Sequence, residues 1–315
     1  MPLDQASTQM LQQLAEMGAK PFHQMSPDEA RRFLAAFRPA YGAGPSMNRV
    51  VEEMLPIPGG HCAVRALIPS DDICGVILHC HGGGWVTLSI DDYDAFGRTL
   101  AAQSHCAVVL VEYRLAPEHP FPAALDDCQV ALNWLADSRD RLFGQASLPL
   151  IVSGDSAGGN LAAVLANRAA RGQGPELAMQ VLLYPVTQAR LDTASYLNPD
   201  FQLLLSREDM AWFWSHYLPD ALRRDLPDAS PLHEADVSRL PPTLIVGAEL
   251  DVLNSDADAY AAKLEAAGVP VVHRRFEGQM HIFATMINVL PASAEAIRLI
   301  ADEIDRVLAT TLAHT

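Results

Sequence analysis

Lysine is almost missing from this chain: of 22 basic side chains only Lys20 and Lys263 are lysines, and 38 carboxylates outweigh them to a net charge of −16. That deficit of positive charge excludes a surface built to hold nucleic acid or an anionic membrane. The arginine bias is read as compositional and the acidic surface as a solubility device. Cysteine is scarce too. Cys62, Cys74, Cys80, Cys106 and Cys128 include no Cys-x-x-Cys pair and leave an odd one over, which argues against a zinc site and a full disulfide set. Five buried thiols in a reducing compartment are expected. No apolar run is long enough to span a bilayer. Met1-Pro2-Leu3-Asp4 carries no basic stretch ahead of an apolar one, so no secretory leader is expected and the location is expected to be cytoplasmic. Internal repeats and low-complexity tracts are absent.

What is present is a chain of 315 residues, half of them apolar and 19% charged, the balance of a folded protein with one large core. The first 40 residues read as helical, with Leu3, Met10, Leu11, Leu14 and Met17 at helix spacing. Ser26-Pro27-Asp28-Glu29 has the form of a capping box opening a second helix. From residue 49 the texture turns extended, with runs 50–55, 62–68 and 73–80. The first two form an antiparallel meander, because Pro56-Ile57-Pro58-Gly59-Gly60 is too short for a crossover helix.

Strands and helices then alternate: strands 107–111, 148–153, 179–183, 243–246 and 271–276, with helices 122–138, 157–171, 256–267 and 293–312. That alternation predicts an α/β fold, a mostly parallel central sheet flanked by helices. Two stretches stand outside it, residues 1–45 and about 186–240, the latter with a helix over 206–217. They are expected to form a helical cap over the carboxyl ends of the strands, where ligands bind in open α/β sheets. Residues 46–315 form the main domain in this reading, with about 186–240 as an insertion in it.

The strongest chemical signal is Gly154-Asp155-Ser156-Ala157-Gly158-Gly159, a Gly-x-Ser-x-Gly between a β-branched strand and an Ala/Leu-rich helix. A serine on so sharp a turn stands clear of the sheet at a helix N-terminus, where the dipole favours developing negative charge. His81-Gly82-Gly83-Gly84-Trp85 follows a strand directly, and consecutive glycines can turn backbone N–H groups toward an anionic oxygen. The run lacks the spacing of a phosphate loop.

A serine needs a base, and the base an orienting acid. Asp251 follows strand 243–246 and His281 follows strand 271–276, so both fall at the same end of the sheet as Ser156. Glu249, Asp256 and Asp258 are rival acids, the last two read as opening an exposed helix. His273 lies within a strand and reads as structural, and His314 as frayed.

At these residues the chain resembles the bacterial hormone-sensitive-lipase-like esterases of the α/β-hydrolase fold, from about residue 40 onward. The resemblance rests on residues 81–85, on Tyr113-Arg114-Leu115-Ala116-Pro117-Glu118-His119-Pro120-Phe121-Pro122-Ala123-Ala124, on residues 154–158, on Asp251-Val252-Leu253 and on His281. The Gly-Asp-Ser-Ala-Gly form belongs to the subgroup with that signature. The resemblance implies Ser156, Asp251 and His281 as a catalytic triad and the N–H groups of Gly83, Gly84 and Ala157 as the oxyanion hole. It also implies no metal or organic cofactor, a small-molecule ester as partner and a possible homodimer. Two positions depart from the family pattern: Val252 stands where proline is usual, and Ile282 where glycine is.

The function expected is serine carboxylester hydrolysis of short- to medium-chain acyl esters. Amide or formamide hydrolysis and acyl transfer use the same triad and stay open. A receptor that has lost catalysis would be expected to lack a triad residue. Trp85, Phe201, Trp212, Phe213, Trp214, Ile282 and Phe283 are the expected substrate-pocket walls.

Overall fold

Strands β3 (Val76–Cys80), β5 (Leu150–Asp155) and β6 (Met179–Leu183) are buried at every position, which an alternating pattern could not achieve. They are the centre of a parallel sheet covered on both faces. The computed structural model describes residues 2–312, the side chains of Thr311 and Leu312 excepted. Eight strands lie in the order β1-β2-β4-β3-β5-β6-β7-β8, with β1 (Arg49–Ile57), β2 (Gly60–Ile68), β4 (Ala107–Glu112), β7 (Thr243–Leu250) and β8 (Val271–Met280) completing the sheet. The hairpin β1–β2 is antiparallel, as the short connection requires, and β2 runs antiparallel to β4; the remaining pairs are parallel.

One face of the sheet is packed by α5 (Ala123–Phe143), α6 (Ala157–Ala170) and α9 (Asn254–Ala266), through Leu125, Leu161 and Leu264 among others. The opposite face carries α4 (Asp94–Ser104) and α10 (Ala292–Leu312), through Phe96, Leu100, Ile297 and Ile304. Helix α4 has no counterpart in the sequence reading. Its N-cap position, Tyr93, makes no side-chain capping bond, and it carries a glycine, Gly97, near its start. The glycine packs closely on β2: a Cβ there would fall 2.8 Å from Leu67 Cδ1, which would have to shift to admit it.

The N-terminal helices α1 (Gln5–Glu16), α2 (Pro27–Ala35) and the single turn α3 (Arg38–Tyr41) lie at the end of the sheet where β3 and β5 finish. The capping box at Ser26 and Glu29 forms as the sequence predicts. Arginines fasten these helices down. Arg31 donates from Nε to the Val86 carbonyl (2.8 Å), from Nη2 to that of Ala116 (2.9 Å), and to both Glu118 oxygens at 2.7 and 2.6 Å. Arg38 donates to Asp92 at 2.9 Å. Between β6 and β7 lie the short α7 (Ala194–Leu197) and α8 (Arg207–Tyr217). Asp209 joins the two outlying stretches: it accepts from Ser206 within α8's own cap and from the backbone N–H and Nδ1 of His23.

Four of the five cysteines are buried as expected, whereas Cys74 is exposed because it precedes β3 at the rim of the sheet. Among the described residues no helix is long and apolar enough to cross a membrane. His314 lies outside the described residues.

Candidate active site

The turn from β5 into α6 is tight enough to exclude side chains at both flanking glycines. A Cβ on Gly154 would fall 2.1 Å from the Gly158 carbonyl oxygen, and one on Gly158 2.0 Å from that of Cys80. Ser156 between them has φ 53° and ψ −117°, a conformation that L-residues avoid unless the surroundings impose it. The turn is held by the Ser156 N–H donating to Leu183 O at 2.9 Å.

The sequence placed Asp251 and His281 beyond strand ends, and both strands run four residues further than read, so that each residue follows its strand directly. His281 Nε2 lies 3.0 Å from Ser156 Oγ, and Nδ1 lies 2.7 Å from Asp251 Oδ2. All three side chains are buried. The other Asp251 oxygen accepts the Leu253 N–H at 2.9 Å, and the Tyr184 ring stands edge-on to the imidazole. This chain can pass a proton from the hydroxyl to the ring while a carboxylate holds the ring's orientation.

The rival acids are engaged elsewhere. Glu249 accepts the Gly278 N–H at 2.7 Å, tying β7 to β8. Asp258 is exposed and pairs with Arg275. Asp256 corrects the sequence reading, which put it on an exposed helix: it is fully buried and accepts the N–H groups of Thr187 (2.9 Å) and Gln188 (3.3 Å). Burial pushes its carboxyl up to about 7, only partly offset by those N–H groups. His273 sits within β8, where its Nδ1 lies 3.9 Å from Asp258 Oδ1.

The glycine run after β3 is held from behind. Gly82 donates its N–H to Tyr93 Oη at 3.0 Å, and that hydroxyl donates to Asp155 Oδ2 at 2.8 Å. His81 is buried, stacked on Tyr113, and burial pushes its imidazole down toward the neutral form. Gly83 (φ 97°) and Gly84 (φ 61°) take left-handed conformations, and a Cβ on Gly84 would fall 2.1 Å from Phe213 Cδ1. Among the described residues no acceptor takes the N–H of either glycine. Together with the Ala157 N–H at the start of α6, they are free to meet an anionic oxygen beside Ser156.

Ser156, His281 and both glycines line one apolar cavity, about 820 Å³ with its open mouth included. Of the expected walls, Trp85, Phe213 and Ile282 line it. The other four do not, for reasons of helix and loop geometry. On α8, Met210 and Phe213 share the cavity face, whereas Trp214, one step round, and Tyr217, at the end of the helix, are buried against Trp85. Trp212 turns outward onto His216. Phe283 is buried under the His281 loop against Phe276 and Tyr184, and Phe201 packs in the turn after α7. Much of the wall instead comes from the first 41 residues, through Leu14, Phe22, Phe33, Phe37 and Tyr41. Of these, only Leu14 is among the residues read at helix spacing, and the others were covered only by the expectation that residues 1–45 form a cap.

The two departures from the family pattern have different settings. Val252 is buried, and its carbonyl accepts the Ser195 hydroxyl at 2.6 Å. Ile282 lines the cavity at φ 67°, where a β-branched residue is strained and glycine would not be.

Comparison with known proteins agrees with this geometry. Residues 77–285 match the family described as the alpha/beta hydrolase fold. Carboxylesterase NlhH of Mycobacterium tuberculosis is 40% identical over 224 residues, 70% of each chain. The ethyl acetate hydrolase of Pseudomonas putida is 34% identical over 308 residues, 93% of this chain and 96% of its own. A hyperthermophilic esterase from the archaeon Pyrobaculum calidifontis superposes with a TM-score of 0.91 at 35% identity, over 96% of this chain and 98% of its own. The chain belongs to the hormone-sensitive-lipase-like family of carboxylic ester hydrolases within the α/β-hydrolase fold.

Proposed function

We propose that the enzyme is a serine carboxylesterase acting on small esters of short to medium acyl length, with Ser156 as nucleophile, His281 as base and Asp251 as the orienting acid. The observation that carries this reading is the hydrogen-bonded chain from Ser156 Oγ through His281 to Asp251, at 3.0 and 2.7 Å, at the floor of an apolar cavity. His281 holds its Nδ1 proton toward Asp251, leaving the Nε2 lone pair for the serine proton. Oγ attacks the ester carbonyl carbon, and the oxyanion accepts from the N–H groups of Gly83, Gly84 and Ala157. The intermediate collapses to an acyl-enzyme as the alcohol departs with the proton from Nε2. Water then attacks in the same way, and the carboxylic acid leaves.

In this reading residues 1–45 and 186–240 are a two-part cap on the catalytic domain, and the apolar walls they contribute suit acyl chains of about four to eight carbons. Each buried CH₂ favours binding by about 0.8 kcal/mol until the cavity is full. The test is a panel of p-nitrophenyl esters from acetate to decanoate with an anilide and a lactone, run beside Ser156→Ala. A peak at intermediate length that vanishes in the variant is expected. Preferred cleavage of the anilide, or rates that climb steadily with length, would overturn the substrate assignment.

A further inference from the structure

At the opposite end of the sheet from Ser156, two thiols face each other across the entry of neighbouring strands. Cys74 precedes β3 and Cys106 immediately precedes β4. The parallel ladder of these strands extends outward to them, with the Ala107 N–H donating to Gly75 O (3.1 Å) and the Cys74 N–H to His105 O (3.0 Å). Their sulfurs are 3.5 Å apart. Gly75 between them keeps the space open, since a Cβ there would stand 3.3 Å from Cys106 Sγ. Cys74 is exposed and Cys106 fully buried.

We propose that Cys74 and Cys106 form a redox-responsive dithiol, which a peroxide converts to an intramolecular disulfide and a small thiol restores. The roles follow from the surroundings. Cys74 can be reached from solvent, and the hydrogen-bonding contact between the two sulfurs holds its thiol below the ordinary range. The same contact and burial push Cys106 up, so it serves as the resolving partner. The remaining thiols are buried, and burial pushes Cys62 up to about 12.

In the first step the Cys74 thiolate attacks one peroxide oxygen and the O–O bond breaks. The sulfur becomes a sulfenic acid, and the other oxygen leaves as hydroxide, which is protonated to water. Cys106 sulfur then displaces the sulfenic hydroxyl, which leaves as water with the Cys106 proton. Two thiols and one peroxide become one disulfide and two waters. The sulfurs must close from 3.5 Å to about 2.05 Å, a movement within reach of side-chain rotation and small shifts of two chain ends.

The disulfide would close a ring around residues 75–105, which holds β3, the glycine run 82–84 and α4. Constraining that segment in the unfolded chain raises the melting temperature of the oxidised form by on the order of 5 °C. Ester hydrolysis is expected to change less than twofold, because β3 separates the thiols from the site.

The test treats the whole enzyme with hydrogen peroxide, alkylates it under denaturing conditions and maps the peptides by mass. The expected result is a linked Cys74–Cys106 peptide and the loss of two hydrogens from the intact mass, both reversed when dithiothreitol is added before alkylation, with Cys62, Cys80 and Cys128 alkylated in either case. Cys106→Ser should leave a sulfenic acid on Cys74, trapped by dimedone, without the rise in melting temperature. Oxidation of wild-type Cys74 to sulfinic or sulfonic acid with no crosslink would overturn the proposal. So would first oxidation at Cys62, Cys80 or Cys128.

Discussion

Tyr93→Phe removes one oxygen from a relay at the edge of the cavity that Tyr93 and Asp155 help to line, and its consequence can be worked from the contacts. The hydroxyl accepts the Gly82 N–H at 3.0 Å and donates to Asp155 Oδ2 at 2.8 Å. Asp155 is 1% exposed and its Oδ1 has no hydrogen-bond partner, with His79 Nε2 3.6 Å away. Without the hydroxyl, Asp155 keeps no hydrogen-bonded donor and Gly82 no acceptor. Losing a bond to a buried charged group costs about 1.5–3 kcal/mol, and orphaning a buried N–H about 1–3 kcal/mol. Stability should therefore fall by roughly 3–5 kcal/mol, and the melting temperature by about 5–8 °C in a chain of this size.

The kinetic effect acts through position. Gly82 anchors the two glycines proposed to hold the oxyanion, and losing one such donor outright costs about 10²–10³ in kcat. A displaced pair of donors should lower kcat by about 10- to 100-fold with little change in KM. Steady-state hydrolysis of p-nitrophenyl butyrate and a thermal unfolding curve measure both. Asp155→Asn keeps an acceptor for the hydroxyl and should be the milder change. A Tyr93→Phe enzyme with kcat within twofold of wild type would show that the relay does not position the glycine run.

Asp251→Asn should lower kcat by about 10⁴-fold, because an amide neither stabilises imidazolium nor selects the right tautomer, whereas Glu249→Gln should cost less than tenfold; the reverse ranking would assign the wrong acid. Asp256→Asn tests a pH dependence whose sign follows from burial. The folded protein holds the Asp256 proton up to about pH 7, while the unfolded chain releases it near 3.8. This group's contribution to stability is therefore complete below pH 4 and is lost as pH rises to 7, a few kcal/mol in total. Relative to wild type, the Asn variant should gain stability from pH 5 to pH 8, and a difference in melting temperature that ignores pH would refute the assignment. Ile282→Gly opens one cavity wall and relaxes a strained φ, so the octanoate-to-butyrate ratio of kcat/KM should rise about fivefold or more; an unchanged ratio would remove Ile282 from the acyl path.

The parts of this site that could be read from sequence are those where local geometry demands a particular residue. Gly154 and Gly158 are fixed because any side chain would strike the crossing backbone, so the turn carries its own signature. Asp251 and His281 were found by their place after strands, a rule of topology that holds although both strands run further than read. Asp256 misled because a helix's first turn looks exposed until the loop at Thr187 is laid over it, a contact spanning 69 residues. The aromatic residues of α8 could not be sorted by identity, since one 100° step on a helix separates a cavity wall from the core. Helix α4 escaped for want of a side-chain cap, although its burial against β2 and β4 is extensive. The contribution of the first 41 residues to the cavity was expected only as a cap, because periodicity gives a face and not its partner.

The central claim is that Ser156 is the activated nucleophile, and covalent labelling tests it most directly. Diethyl p-nitrophenyl phosphate, titrated against the enzyme, should abolish ester hydrolysis at one phosphoryl group per chain, and peptide mass mapping should find that group on Ser156. A label on another residue, or full activity in enzyme whose Ser156 is quantitatively labelled, would contradict the account.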